Sequence, residues 1–219
     1  MKEINEEEKS FEQINIFIIG NNGVGKSSLI KRFAKKDKYP GKYLSELAKD
    51  KGIKYLEKGG NFYKLHFFEI SSIVDYENNL NPDGIFFIYD TTNQQSFDDI
   101  SNFIEYFQDK TGKNIPMILI GSKKDLSDKT IIWPSEGEGL AKNKELEFFE
   151  MNIIEGTNIN TALNSLVETI IKKRTEVNSN IEKQKKKKKK MSQMMRIIRI
   201  IHGFALAVNN LWKISLIEI

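Results

Sequence analysis

One stretch constrains this chain more than any other. An apolar run rich in β-branched and aromatic residues, INIFII at 14–19, stops at Gly20, and the spacing G-x-x-x-x-G-K-S follows through Gly25, Lys26 and Ser27, with a further glycine at Gly23. After it, SLIKRFAKK places Leu29, Ile30 and Phe33 at helical spacing and ends in basic residues, which suits a helix C-terminus. The glycines therefore sit between a buried strand and the start of a helix, the setting a phosphate-binding loop needs. Glycine lets the backbone curl until its N–H groups converge on an anion, and the helix start adds positive potential. Gly20, Asn22, Gly23, Val24, Gly25, Lys26, Ser27 and Ser28 are the expected contacts to a nucleoside polyphosphate. Lys26 is expected to reach the β- and γ-phosphates and the Ser27 hydroxyl to ligate Mg²⁺.

The rest of the chain alternates strands and helices. A polar stretch at 35–50 reads as a loop. Strand-like segments at 52–58 and 62–70 are joined at Gly59-Gly60, a hairpin signal. Buried strands are expected at 85–90 and 115–121, and a last strand at 146–151. Helices are expected at 96–110, with Ser96 as N-cap and Asp99 three residues on, at 135–144 and at 160–174. Strands separated by helices of this length imply an α/β fold: a mostly parallel six-stranded sheet of the P-loop NTPase type, with one antiparallel edge strand and helices on both faces. Ligands of such sheets sit beyond the C-terminal strand ends, where "EISS" (69–72) and "GSKKD" (121–125) fall.

Four segments carry a resemblance: GNNGVGKSSLIKRFA, DGIFFIYDTTNQQSFDDISNFIEYFQD, IPMILIGSKKDL and LEFFEMNIIEGTNINTALNSLVETIIKK. Over roughly 12–175 the chain resembles a Ras-superfamily small GTPase, most closely the Rab branch. The resemblance implies GTP or GDP with Mg²⁺ as ligands. It also implies effector, exchange and activating proteins as partners, and work as a monomeric switch or docking module in vesicle traffic or signalling. The family's base-reading Asn-Lys-x-Asp stands here as Ser122, Lys123, Lys124 and Asp125. Asp125 can accept both the ring N–H and the amino group of guanine, a donor pair adenine lacks. Lys123 is expected over the base. Ser122 replaces an Asn that braces this corner, and a loss of about 1–2 kcal/mol is expected from one missing buried hydrogen bond. The family's Ser-Ala-Lys loop is replaced by Met151, Asn152, Ile153 and Ile154, which keep none of its side chains.

Both switches depart from the family pattern. The Mg²⁺-ligating Thr of the first corresponds to Ser45, or to Glu46 under a gapped alignment. The aromatic that stacks on guanine corresponds to Tyr39, or to Lys38 without the gap. Tyr39 with Ser45 is the physically sensible pair. The second switch reads Glu69, Ile70, Ser71, Ser72 and Ile73 where the family has Asp-x-x-Gly-Gln. Glu69 keeps a carboxylate for the metal, giving Ser27, Ser45 and Glu69 as the expected metal set. Ser72 keeps an N–H for a γ-phosphate without the freedom of glycine. Ile73 occupies the position of the water-positioning Gln, and an aliphatic side chain cannot orient a water. No catalytic residue is assigned, and slow or absent hydrolysis is expected. His66, within the alternating KLHFFE, reads as structural. The segment from 73 to 84 is shorter than in the family. A non-switching pseudo-GTPase scaffold is the second reading. A P-loop kinase or ATPase is disfavoured by Asp125 and by the scarcity of Arg, found only at 32, 174, 196 and 199.

Charge separates the ends from the middle. Residues 181–219 carry ten Lys/Arg and two Glu, a net +8; the chain total of +4 leaves −4 for residues 1–180. The folded part is thus mildly acidic, so that a nucleic-acid partner would have to be held by the tail alone. Residues 1–12 read as an acidic disordered extension without a signal-peptide core, and no cysteine is present, which fits the cytoplasm. Residues 13–176 form the nucleotide-binding domain. Residues 177–190 form a polybasic linker, disordered by self-repulsion. Residues 191–219 mix apolar and basic residues. Without cysteine the usual prenylation is impossible as written. Interruptions by Arg199, His202, Asn209, Asn210 and Lys213 make 197–219 poor for spanning a bilayer. They suit an interfacial helix, with Trp212 and the lysines favouring an anionic membrane, on the cytosolic face of an intracellular compartment. A second reading takes this end as non-native sequence, since an adenine run encoding six lysines invites a reading-frame slip.

Overall fold

A computed structural model of the chain describes residues 11–34, 52–73, 81–111 and 115–215, with side chains to residue 200. Two compact units emerge, Met1–Ile170 and Ile171–Ile219.

The first unit is built on a six-stranded sheet of order β2-β3-β1-β4-β5-β6. Its strands are β1 (Glu12–Ile19), β2 (Ile53–Lys58), β3 (Asn61–Ile70), β4 (Gly84–Asp90), β5 (Met117–Ser122) and β6 (Glu147–Glu150). All pairings are parallel except β2 with β3. That hairpin turns at Gly59 and Gly60, both at positive φ (58° and 79°), the conformation a two-residue turn demands. β1 lies between β3 and β4, so the chain reverses its winding at the C-terminal end of β1, where the phosphate loop begins.

Among the described residues the α-helices are α1 (Lys26–Phe33), α2 (Gln94–Thr111), α3 (Pro134–Asn143) and α4 (Ile159–Ser215). β4, GIFFIYD, is buried at every position because both faces of the sheet are covered. On one face Phe17, Phe87, Tyr89 and Leu119 meet Ile100, Phe103, Ile104 and Phe107 of α2 and Ala141 of α3. On the other, Phe33 of α1 stacks on Phe67 and tilts against Phe86. A Cβ on Gly84 would meet Ile170 and Leu166, so α4 begins in close contact with the start of β4.

Several sequence expectations are corrected. Glu12 already belongs to β1, and Phe11 packs edge-on against Tyr55 and Phe62, so the extension ends earlier than residue 12. Ser96 is not the cap of α2. The helix starts at Gln94, and Asn93 caps it by accepting the Ser96 N–H at 3.2 Å. Ser96 instead bonds back to the end of β4. The polybasic run is helical, because α4 continues through Lys185–Lys190 to Ser215. Lysine has good helix propensity, and side chains that all project into water lessen like-charge repulsion. Leu126, Ile131, Trp133 and Ile154 lie exposed.

Candidate functional site

The phosphate loop has the shape its sequence implies. Gly20 passes so close to β4 that a Cβ there would lie 2.1 Å from the Ile88 carbonyl oxygen. Gly25 precedes α1 at φ 111°, and no side chain caps the helix. With a glycine rather than a capping side chain before it, the start of α1 has the form of an anion-binding helix start. Lys26 is buried (2% exposed), and its ammonium donates to the carbonyls of Gly20 and Asn21, both at 2.8 Å. Asn21 is in turn tied to Asp99 of α2 at 2.6 Å. The loop is thus clamped between the sheet and α2, and Asp99 serves there rather than in a capping box.

The metal side of the site comes together from two elements. Ser27 Oγ donates to Glu69 Oε2 at 2.7 Å, and Glu69 Oε1 lies 3.8 Å from Lys26 Nζ. Both groups offer hard oxygens, and two ligands at adjacent corners of a Mg²⁺ octahedron sit about 3 Å apart, so the pair fits that ion. Among the described residues no group of three or more His, Cys, Asp or Glu forms a metal cage. A single carboxylate beside a hydroxyl suits a Mg²⁺ that takes its other ligands from phosphates and water. Ser45, its alternative Glu46, Tyr39 and Lys38 lie outside the described residues.

The base side is organised by residues that the sequence only partly announces. Ser122 is fully buried, and its hydroxyl lies 2.7 Å from both the Val24 and Tyr89 carbonyl oxygens. The brace between β5 and the phosphate loop therefore survives, contrary to the expected loss, although one hydroxyl proton serves only one of the two acceptors at a time. Lys123 adopts a left-handed backbone (φ 63°), and its ammonium sits 2.6 Å from Asp90 Oδ2. Burial alone would raise the Asp90 pKa. The Lys123 ammonium and the backbone and hydroxyl of Thr92 outweigh burial and hold it below the ordinary aspartate value. Asp125 is exposed at the start of the 3₁₀ segment Lys124–Lys129, open to a ligand.

The loop after β6 faces the same corner. Asn152 Oδ1 accepts the N–H groups of Ile154 and Glu155 at 3.1 and 3.0 Å, so this loop keeps an organising side chain after all. The N–H of Lys124 donates to the Met151 carbonyl, coupling the two loops. Arg32 donates to the Ile154 carbonyl from α1. An open groove of about 500 Å³ runs past Ser28, Lys31, Arg32, Ile153 and Ile154.

In the second switch, Ser72 is half-buried, and Ile73 packs against the core cluster beneath α2. The residue standing where a water-positioning side chain is expected thus faces the hydrophobic interior. Residues 74–80, on which the shortened segment falls, lie outside the described residues. His66 lies in mid-β3, opposite Asn15 and Ile53 and stacked on Phe68, four residues short of the strand's C-terminal end. That is about 13 Å of strand, so it is a structural histidine.

A family model for the Ras family matches residues 15–172. The chain belongs to the Ras family. The Ras-related protein Rab-10 of Diplobatis ommata is 29% identical over 163 residues, covering 72% of this chain and 81% of the relative. The GTP-binding protein YPT1 of Saccharomyces cerevisiae is 28% identical over 175 residues (78% and 84%). RABE1d of Arabidopsis thaliana is 27% identical over 180 residues (78% and 82%). The chain is therefore a Rab-like small GTPase of the Ras superfamily. Family members bind GTP and GDP with Mg²⁺, and here Lys26, Ser27 and Glu69 would hold the phosphate and metal end. Held there, the metal would supply positive charge against that of the phosphates. Lys26 would add a second cation, while Ser122 holds the phosphate loop and Asp90 holds Lys123. The roles of Asp90, Asn152 and Asp99 in this site escaped the sequence reading; Asp90, at the C-terminal end of a fully buried strand, is the one with a visible signal.

Proposed function

We propose that this chain is a guanine-nucleotide-binding switch or docking protein with slow intrinsic GTP hydrolysis. It acts in vesicle traffic or signalling, through effector, exchange and activating proteins, as a monomer on the cytosolic face of an intracellular membrane. The observation that carries the slow chemistry is a contrast at the end of β3. Glu69 turns to Ser27 and Lys26, while Ile73, four residues on, turns into the core. Holding phosphate and positioning a water are thus separated: the first has its groups, and the residue aligned with the second, Ile73, is spent on the core. Guanine preference follows from Asp125, which accepts two hydrogen bonds from one base edge. The vesicle-traffic assignment rests on the likeness to Rab proteins.

The test is equilibrium titration with GDP, GTP and ATP, followed by single-turnover hydrolysis of bound GTP. Tight guanine binding with a rate at or below that of ordinary family members is expected. A fast rate would overturn the slow-hydrolysis reading. Identical hydrogen exchange near Ser72 with GDP and with a GTP analogue would replace the switch by a nucleotide-stabilised scaffold.

A further inference from the structure

The second unit is a helix with an unusual order of side chains. From 183 to 200 the sequence holds nine Lys/Arg and no Asp or Glu. The first part is the six-lysine run, and the next part is MSQMMRIIRI, both within α4. Met191, Met194, Met195 and Ile198 follow at steps of three and four, so they line one face. Ser192, Arg196 and Arg199 lie together on one flank of that face, and Ile197 and Ile200, also exposed, lie on the side away from them. The four apolar side chains are 50–55% exposed. Water is a poor solvent for four large apolar groups on one face.

We infer that the helix face Met191–Met194–Met195–Ile198, with Lys185–Lys190 and Arg196/Arg199, is a docking surface for an anionic lipid bilayer. The helix lies in the interface with its apolar face among the acyl chains. Charge complementarity selects this occupant. Six consecutive lysines step by 100° each and so encircle the helix. No single rigid protein groove meets all six. A fluid surface that gathers anionic lipids does, because lysine stems bend to bring their ammonium groups to the headgroups. A nucleic-acid backbone would satisfy the lysines and leave the Met/Ile face in water. Spanning is a different matter: among the described residues no helix is long and apolar enough to cross a membrane. The inference supplies the attachment for the membrane-face reading above and is independent of nucleotide hydrolysis.

The experiment is flotation of the purified full chain with two kinds of vesicle, phosphatidylcholine alone and phosphatidylcholine with phosphatidylserine, at low and high salt. The unaltered chain is expected to float with the anionic vesicles and to lose flotation as salt shortens the screening length from about 8 Å toward about 3 Å. Lys186→Gln, Lys187→Gln and Lys189→Gln together should lower the partition about a hundredfold, each charge being worth about five-fold near the surface. Met195→Gln with Ile198→Gln should also lose flotation, while GDP titration of both variants stays unchanged. Equal flotation on neutral vesicles overturns the inference. So does unimpaired flotation of the Met195/Ile198 variant, which would reduce the surface to diffuse charge. Retention by single-stranded RNA or an acidic helix-binding protein, with no vesicle binding, would assign the face to that partner instead. Loss of vesicle binding with intact GDP affinity counts against this surface alone, and loss of GDP binding by the unaltered chain counts against the nucleotide reading alone.

Discussion

At the scale of single residues, the site turns on which charges already have partners. Lys26 is held under the phosphate loop by two carbonyls, so its ammonium stands ready at the centre of the loop. Lys26→Ala should abolish tight binding of GDP and GTP in equilibrium titration, since no other cation contacts that loop centre among the described residues. Asp125→Ala should weaken guanine nucleotides by about 10- to 100-fold, the worth of hydrogen bonds to a charged acceptor, and should erase the preference over ATP. Unchanged titrations for both variants would remove the site assignment. Asp90 makes a different prediction. Its folded pKa lies below the ordinary value, so its contribution is fully present above an unfolded pKa of about 4 and is lost as pH falls through the lower folded value. Asp90→Asn should cost about 1–3 kcal/mol at neutral pH, by leaving Lys123 without its carboxylate. Urea melts should show the gap between variant and parent closing as the pH is lowered. A gap that stays constant would separate Asp90 from the Lys123 pair.

At the scale of elements, the sequence was legible wherever the pattern was local. Each strand of the sheet, the Gly59-Gly60 hairpin and the strand–loop–helix of the phosphate site follow from runs of a few residues, and they stand where that pattern puts them. What was not legible depends on residues distant in the chain. Nothing near Gly137 signals that a Cβ there would come 2.4 Å from Tyr89 Oη and 2.6 Å from Phe148, because that contact exists only once α3 lies on β4 and β6. Gly137→Ala should therefore destabilise the fold by about 1–3 kcal/mol as an overpacked contact, readable as a lower urea midpoint. The Ser122 brace was likewise misjudged, since a short hydroxyl reaches Val24 only when β5 and the loop stand this close. Ile73 shows the same limit in the functional site. Its residue type announced a missing hydrogen-bonding group, but not that the side chain packs into the core. Ile73→Gln should accordingly leave single-turnover hydrolysis slow while costing about 1–2 kcal/mol of stability from lost apolar burial. A rescued rate would mean that the loop swings out of the core once Ile73 is gone.

At the scale of the whole molecule, the division falls within α4. Its start belongs to the nucleotide-binding unit, where Ala162, Leu163, Leu166, Val167 and Ile170 are buried, and every described side chain from 175 to 200 is exposed. Helical pattern predicted the first part and the end of the buried face. It misjudged the lysine run, expected to be disordered by like-charge repulsion, where the helix continues. Because helix formation is cooperative, a buried start can carry an exposed continuation without a new nucleus. Removing that continuation should then cost the first unit little. A chain ending at Lys183 should keep its guanine-nucleotide affinity, and its urea midpoint should move by no more than an ordinary surface change, about 0.5 kcal/mol. The same truncation should abolish vesicle flotation, since Lys185–Lys190 and the Met191–Ile198 face go with it. The two readouts separate cleanly. Loss of nucleotide affinity on truncation would mean that the second unit supports the first, and retained flotation would place the lipid-binding surface elsewhere in the chain.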